Sequence, residues 1–127
     1  MSKTYPVGIV GEANYQGAIR RCSVGERAHV LHEPDNPYDT EALVVVTEDG
    51  QTLGYIARDC WLQDCIHEEG KDCEARIKDI VTAGNGQLGV VLDVTPCDGR
   101  VRTRAYNTPT PKSTRQTKGW LARFLGL

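Results

Sequence analysis

The run Glu33-Pro34-Asp35-Asn36-Pro37-Tyr38-Asp39 puts one aromatic ring, one carboxamide and three carboxylates on a stretch punctuated by two prolines. Each proline locks φ and removes an N–H donor, so the run is a rigid, exposed turn rather than a strand. A stiff loop that presents a ring beside a hydrogen-bonding carboxylate is a binding-site geometry. It is equally the form of a well-made connection between two strands. A third reading is a metal-dependent nuclease, because Asp35, Asp39 and Glu41 lie close together. Against catalysis, no other metal-ligand spacing, Ser-His-Asp set or phosphate-binding glycine loop occurs, and His29, His32 and His67 have no evident partner. No catalytic residue, metal or cofactor is therefore expected.

The elements that hold this loop can be read from patterning. Tyr5 to Val10 is a short strand that turns at Gly11. Tyr15 to Cys22 is expected to be helical, with Asn14 as N-cap. Arg27 to Glu33 alternates as a strand, with Ala28 and Val30 on one face. Ala42 to Thr47 is a β-branched strand, and Glu48-Asp49-Gly50-Gln51 is a hairpin turn into Thr52 to Ala57. Arg58 to Glu69 is expected to be a helix ending at Gly70. Its apolar positions Trp61, Leu62, Cys65 and Ile66 form one core-facing stripe. Asp72 to Ala83 and Gln87 to Thr95 are two long strands joined by Gly84-Asn85-Gly86. Six short strands and two helices at this spacing predict a small barrel.

The chain has 127 residues, 39% of them hydrophobic and 25% charged. That suits one domain with one core. No stretch approaches the ~20 apolar residues of a membrane span, and the first residues lack the apolar core of a signal peptide. A cytoplasmic protein is expected. The five cysteines, Cys22, Cys60, Cys65, Cys73 and Cys97, are an odd number. With no secretion signal they read as reduced thiols rather than a disulfide framework. Cys60, Cys65, His67 and Cys73 raise zinc, but no Cys-x-x-Cys pair occurs.

The net charge of −2 conceals an asymmetry. Residues 1–99 hold all seventeen acids against eight Lys/Arg, a balance of −9. Residues 100–127 hold seven basic residues and no acid, a balance of +7. An acidic body does not bind a polyanion non-specifically, whereas a basic tail binds one or folds against the body. The expected division is a barrel over residues 1–97 and a tail over 98–127. Within the tail, Arg100 to Tyr106 is an edge strand or arm, and Asn107 to Lys118 a Thr/Pro-rich flexible linker. Trp120, Leu121, Phe124 and Leu125 form one face of a short amphipathic C-terminal helix. A helix that short must dock, on its own body, a second copy or a DNA-processing protein. An adaptor module built on that peptide is thus the alternative function.

The order Val7-Gly8-Ile9-Val10-Gly11, Tyr15-Gln16, Gly25, Glu33 to Asp39, Ala42-Leu43-Val44-Val45 and Gly54-Tyr55-Ile56-Ala57-Arg58 resembles the HIRAN domain family over about residues 5–95. The resemblance implies an OB-like β-barrel that binds nucleic acid. In a fork-remodelling helicase of that family, the domain grips the 3′-hydroxyl end of single-stranded DNA. The family also occurs as free-standing bacterial and phage proteins, so DNA repair, replication or phage DNA processing is the implied setting. Carried over by position, Asn36, Tyr38 and Asp39 match the loop of the end pocket. Tyr15 matches the last residue of a basic-aromatic-aromatic element, Tyr55 falls at a histidine near the DNA, and Arg58 matches a phosphate-binding lysine. Ala13 and Asn14 replace the arginine and first tyrosine of that element, leaving one phosphate contact and one stacking ring fewer.

The chemistry implied is coherent. Tyr38 stacks on a base or sugar without reading sequence. Asp39 accepts a charge-assisted hydrogen bond from a 3′-hydroxyl, and its charge repels a 3′-phosphate or a continuing strand. Asn36 holds the loop through an Asx-turn or bonds a base edge. Arg58, at a helix start, pairs with the penultimate phosphate. Each position also has a structural reading: Asp39 as turn cap, Tyr38 as rim residue, Tyr55 as core or rim, Arg58 as solvated charge, and Tyr15 as packing beneath the loop.

Overall fold

A computed structural model describes residues 3–104. Six antiparallel strands close into a barrel: β1 (Tyr5–Val10), β2 (Arg27–His32), β3 (Leu43–Thr47), β4 (Thr52–Ile56), β5 (Asp72–Thr82) and β6 (Leu88–Cys97), in the order β1-β4-β3-β2-β5-β6. Two short helices, α1 (Gln16–Arg20) and α2 (Trp61–His67), lie in the connections. The expected six-stranded, mainly β barrel with two helices is what forms. Among the described residues, no helix is long and apolar enough to cross a membrane.

The core follows the period-two patterning. Val7 and Ile9 of β1, Ala28 and Val30 of β2, and Val90, Leu92 and Val94 of β6 all point inward and are buried. Ile19 of α1 and Leu62, Cys65 and Ile66 of α2 plug the barrel. Leu43 to Val46 are all buried, so β3 is covered on both faces, as an unbroken apolar run requires.

Three expectations change. The first helix begins with a 3-10 turn over Glu12–Tyr15, entered from Gly11 at φ 77°. Asn14 lies inside that turn and Tyr15 is the N-cap of α1, with no side-chain cap. The left-handed glycine tightens the chain three residues before Asn14, so the capping position has already passed. The second helix starts at Trp61, not Arg58, because Cys60 holds an extended conformation at the N-cap. Its Trp61 is 42% exposed and meets Tyr5 edge-on at 5.3 Å rather than entering the core.

β5 pairs with β2 only at Arg27 and Ala28 and then departs. The outer edge of His32 is thereby left unpaired by the barrel, and the chain beyond β6 takes it. Thr103 forms a parallel bridge with His32, whose N–H donates to the Arg102 carbonyl at 2.8 Å and whose carbonyl accepts from Arg104 N–H at 2.7 Å. The described part of the basic arm is therefore a one-residue extension of the sheet.

Gly54 is required by a close approach: a Cβ there would lie 2.6 Å from the Val10 carbonyl oxygen and 2.9 Å from Ile9 Cδ1. The first of these is strand backbone and the second belongs to a buried core side chain. Gly54→Ala should lower unfolding stability by about 2 kcal/mol, read as a reduced urea midpoint with an unchanged slope.

Candidate nucleic-acid interface

The loop between β2 and β3 is closed at its neck by a backbone bond from Glu33 N–H to the Ala42 carbonyl at 2.9 Å. Inside it, Asn36 does most of the folding. Its Oδ1 accepts from the N–H groups of Tyr38 at 2.8 Å and Asp39 at 3.1 Å. Its Nδ2 donates to Glu33 Oε1 at 2.8 Å. Of its two expected roles, the structure displays the Asx-turn, and the carboxamide oxygen is committed to the loop.

Glu33 itself is fully buried. Besides Asn36, its Oε1 accepts from the Tyr55 hydroxyl at 2.7 Å, and its Oε2 lies 3.8 Å from Arg104 Nη1. That guanidinium also donates to Thr52 Oγ1 at 2.6 Å. One carboxylate thus joins the loop, strand β4 and the segment after β6. Sequence reasoning had counted Glu33 only as one of the loop's acids and had no role for Arg104 in the site. The charge of Glu33 does not show that its side chain is buried, and Arg104 lies far away along the chain.

Asp39 and Arg58 form the exposed half. Asp39 Oδ1 accepts from Glu41 N–H at 3.0 Å, so it does cap the turn. Its Oδ2 faces Arg58 Nε at 3.4 Å. Arg58 Nη2 donates to the Tyr38 carbonyl at 3.0 Å. The guanidinium, 74% exposed, therefore sits on the rim and clips the backbone that carries the ring. It is three residues ahead of α2 and is not part of a helix start, so the backbone amides expected beside it there are not in place. Tyr38 is 86% exposed, its ring free of the core.

The two histidines nearest the loop also find partners. His32 Nε2 donates to the Thr40 carbonyl and His67 Nε2 to the Glu41 carbonyl, each at 2.8 Å. Their rings meet edge to face at 4.9 Å. His29 pairs with Glu48 and Arg102. None of these partners was legible locally, because each is a residue or a carbonyl brought in by the fold.

A cleft of about 240 Å³ results, lined by Val10, Asn36, Tyr38, Asp39, Tyr55 and Arg58, with Ala42, Ile56 and Ala57 as its apolar wall. Five of the six residues singled out from sequence meet there. Tyr15 does not, and lines a neighbouring groove with Arg21 and Arg104. Trp120, Leu121, Phe124 and Leu125 lie outside the described residues, as does the linker before them.

The thiols stand apart from this site. Burial is the chief cause that pushes Cys73 up to about 12, with Asp72 adding to it. All five cysteines are free. Among the described residues, no three His, Cys, Asp or Glu side chains are grouped so as to hold a metal ion.

Comparison with known proteins places these features in a family. The HIRAN domain model matches residues 3–90. The crystal structure of the HIRAN domain of human HLTF is similar, with a TM-score of 0.57 at 19% identity, covering 74% of each chain. So is the crystal structure of a protein from Lactobacillus plantarum, with a TM-score of 0.58 at 22% identity, covering 76% of this chain and 95% of that one. At those identities the likeness is one of fold. No curated protein sequence matches significantly.

The Glu33 network predicts a linked loss. Glu33→Ala removes the acceptor shared by Tyr55 and Asn36 and the carboxylate facing Arg104. It should lower stability by about 3 kcal/mol, and loop amides at Tyr38 and Asp39 should exchange faster by NMR while those of β6 keep their relative order.

Proposed function

Because the chain belongs to the HIRAN domain family, we propose that it is a DNA-binding module that takes the 3′-hydroxyl end of single-stranded DNA in its Tyr38/Asp39 cleft. Membership of that family supports nucleic-acid binding. The observation that carries the finer reading is the pairing of an exposed ring with a carboxylate on a loop that is rigid by construction. Tyr38 projects beside Asp39 because Asn36 holds both backbone amides.

Each group has work suited to a strand end. The ring of Tyr38 offers a stacking face to a terminal base, worth about 1–3 kcal/mol and tolerant of sequence. Asp39 keeps Oδ2 toward the cleft while Oδ1 caps the turn. Oδ2 can accept from a hydroxyl, and its charge opposes a phosphate at the same place. Arg58, on the same rim, supplies the cation for the phosphate one step back along the strand. Val10, Ala42 and Ile56 give the cleft an apolar wall beside these polar groups. DNA repair, replication or phage-related processing is the setting proposed for such an end reader.

Two measurements test this. A labelled oligonucleotide with a 3′-hydroxyl should bind more tightly than its 3′-phosphate twin by about tenfold, a difference of about 1.4 kcal/mol. Asp39→Asn, which keeps the oxygen that caps the turn, should bring the two within about twofold. Equal binding of both ends to the unmutated protein would overturn the reading. In the second, Tyr38→Ala should weaken binding of the 3′-hydroxyl strand by about tenfold or more while leaving the thermal midpoint in place, since that ring is outside the core.

A further inference from the structure

Next to the cleft runs a wider groove of about 470 Å³, lined among others by Tyr15, Arg21, Gln51, Thr52 and Arg104. No carboxylate lines it. The closest acid in sequence, Asp49 at the hairpin tip, is bonded to Thr47 Oγ1. The two arginines come from unrelated elements. Arg21 follows α1, is exposed, and makes no side-chain hydrogen bond or ion pair among the described residues. Arg104 arrives from the segment after β6. Gly17 and Gly50 leave open space where side chains would stand, so the walls are accessible.

One buried carboxylate links a wall of this groove to a wall of the cleft. Tyr55 on the cleft wall and Arg104 in the groove both meet Glu33. Along β4, Thr52 in the groove and Tyr55 in the cleft are about 10 Å apart at the rise of a strand, close to the rise of three stacked nucleotides. The sequence after Arg104 carries Lys112, Arg115, Lys118 and Arg123 and no acid. Arg104 lies beyond residues 3–90, over which the family model matches.

We propose that the Arg21/Arg104 groove is a second nucleic-acid contact, holding the phosphodiester backbone of the strand whose end enters the cleft. The direction of the strand rests on the end-binding reading; the groove's affinity for a polyanion does not. The Arg21 guanidinium, in a groove lined by no acid, neutralises a phosphate irrespective of sequence, and Arg104, whose charge is shared with Glu33, adds N–H donors beside it. Arg21 also supplies cationic grip of the kind that Ala13 and Asn14 cannot.

The test uses the full chain, the unmutated protein and Arg21→Gln, and 3′-hydroxyl oligothymidylates of about eight and about two nucleotides titrated between about 50 and 200 mM salt. Arg21→Gln should weaken binding of the longer strand several-fold and flatten its plot of log K against log salt by about 0.7. The two-nucleotide strand, too short to reach the groove, should be unaffected. An unchanged slope with the longer strand would overturn the proposal, and so would an equal loss with the short one. The matched 3′-phosphate strand reads the other hypothesis separately. Equal binding of both ends with the Arg21 effect intact would remove end recognition and leave the groove standing. A retained 3′-hydroxyl preference with no Arg21 effect would do the reverse, and no binding of the longer strand would remove both.

Discussion

A carboxylate taken out of water must be matched by donors or a cation, since an ion left alone in the interior costs several kcal/mol. Glu33 is fully buried and is matched by residues from three separate parts of the chain: Asn36 in its own loop, Tyr55 on β4 and Arg104 after β6. Because each partner is also a wall of the cleft or the groove, satisfying one charge fixes the relative position of all of them. The loop is stiffened twice over. Two prolines limit its backbone, and Asn36 uses its carboxamide oxygen on two loop amides.

This arrangement separates structural work from exposed chemistry. The buried Glu33 and the half-buried Asn36 and Tyr55 are occupied with one another. Tyr38 and Arg58 face outward, and Asp39 does both, with one oxygen on the turn and the other on the rim. Two histidines from different elements secure the second half of the loop by its carbonyls. Such preorganisation means that little rotamer freedom is lost when a ligand arrives, and affinity from a small cleft is retained rather than spent on ordering.

How far the sequence carried can be seen element by element. Alternation of Val90, Leu92 and Val94, and the β-branched run before Thr47, were enough to place strands, because period-two burial depends only on neighbours. The loop was legible for the same reason: proline and Asx chemistry act over two or three residues. What failed was also instructive. Asn14 was a reasonable cap until Gly11 in the left-handed region started the turn early. Trp61 sat in an apolar stripe, yet at the first turn of a short helix it reaches the barrel rim and Tyr5. Glu33, Arg104 and the histidine contacts depend on strand order around the barrel, which local pattern does not encode. Tyr15 matched its family position in the sequence, but the 3-10 turn that carries it faces the groove and not the cleft.

The bridge between His32 and Thr103 has a bearing on how the molecule comes to be folded. Contacts between distant parts of a chain are slow to form, since loop closure must precede any gain from them. Here the cation that faces Glu33 is at the far end of the described residues, delivered by a strand extension that must lie against β2. A nascent chain that has emerged only through β4 holds the loop, the tyrosine and the acid, but not the arginine. The contact that completes the charge match of Glu33 thus forms only after the chain through residue 104 is available, and it ties the loop to the last described segment of the fold.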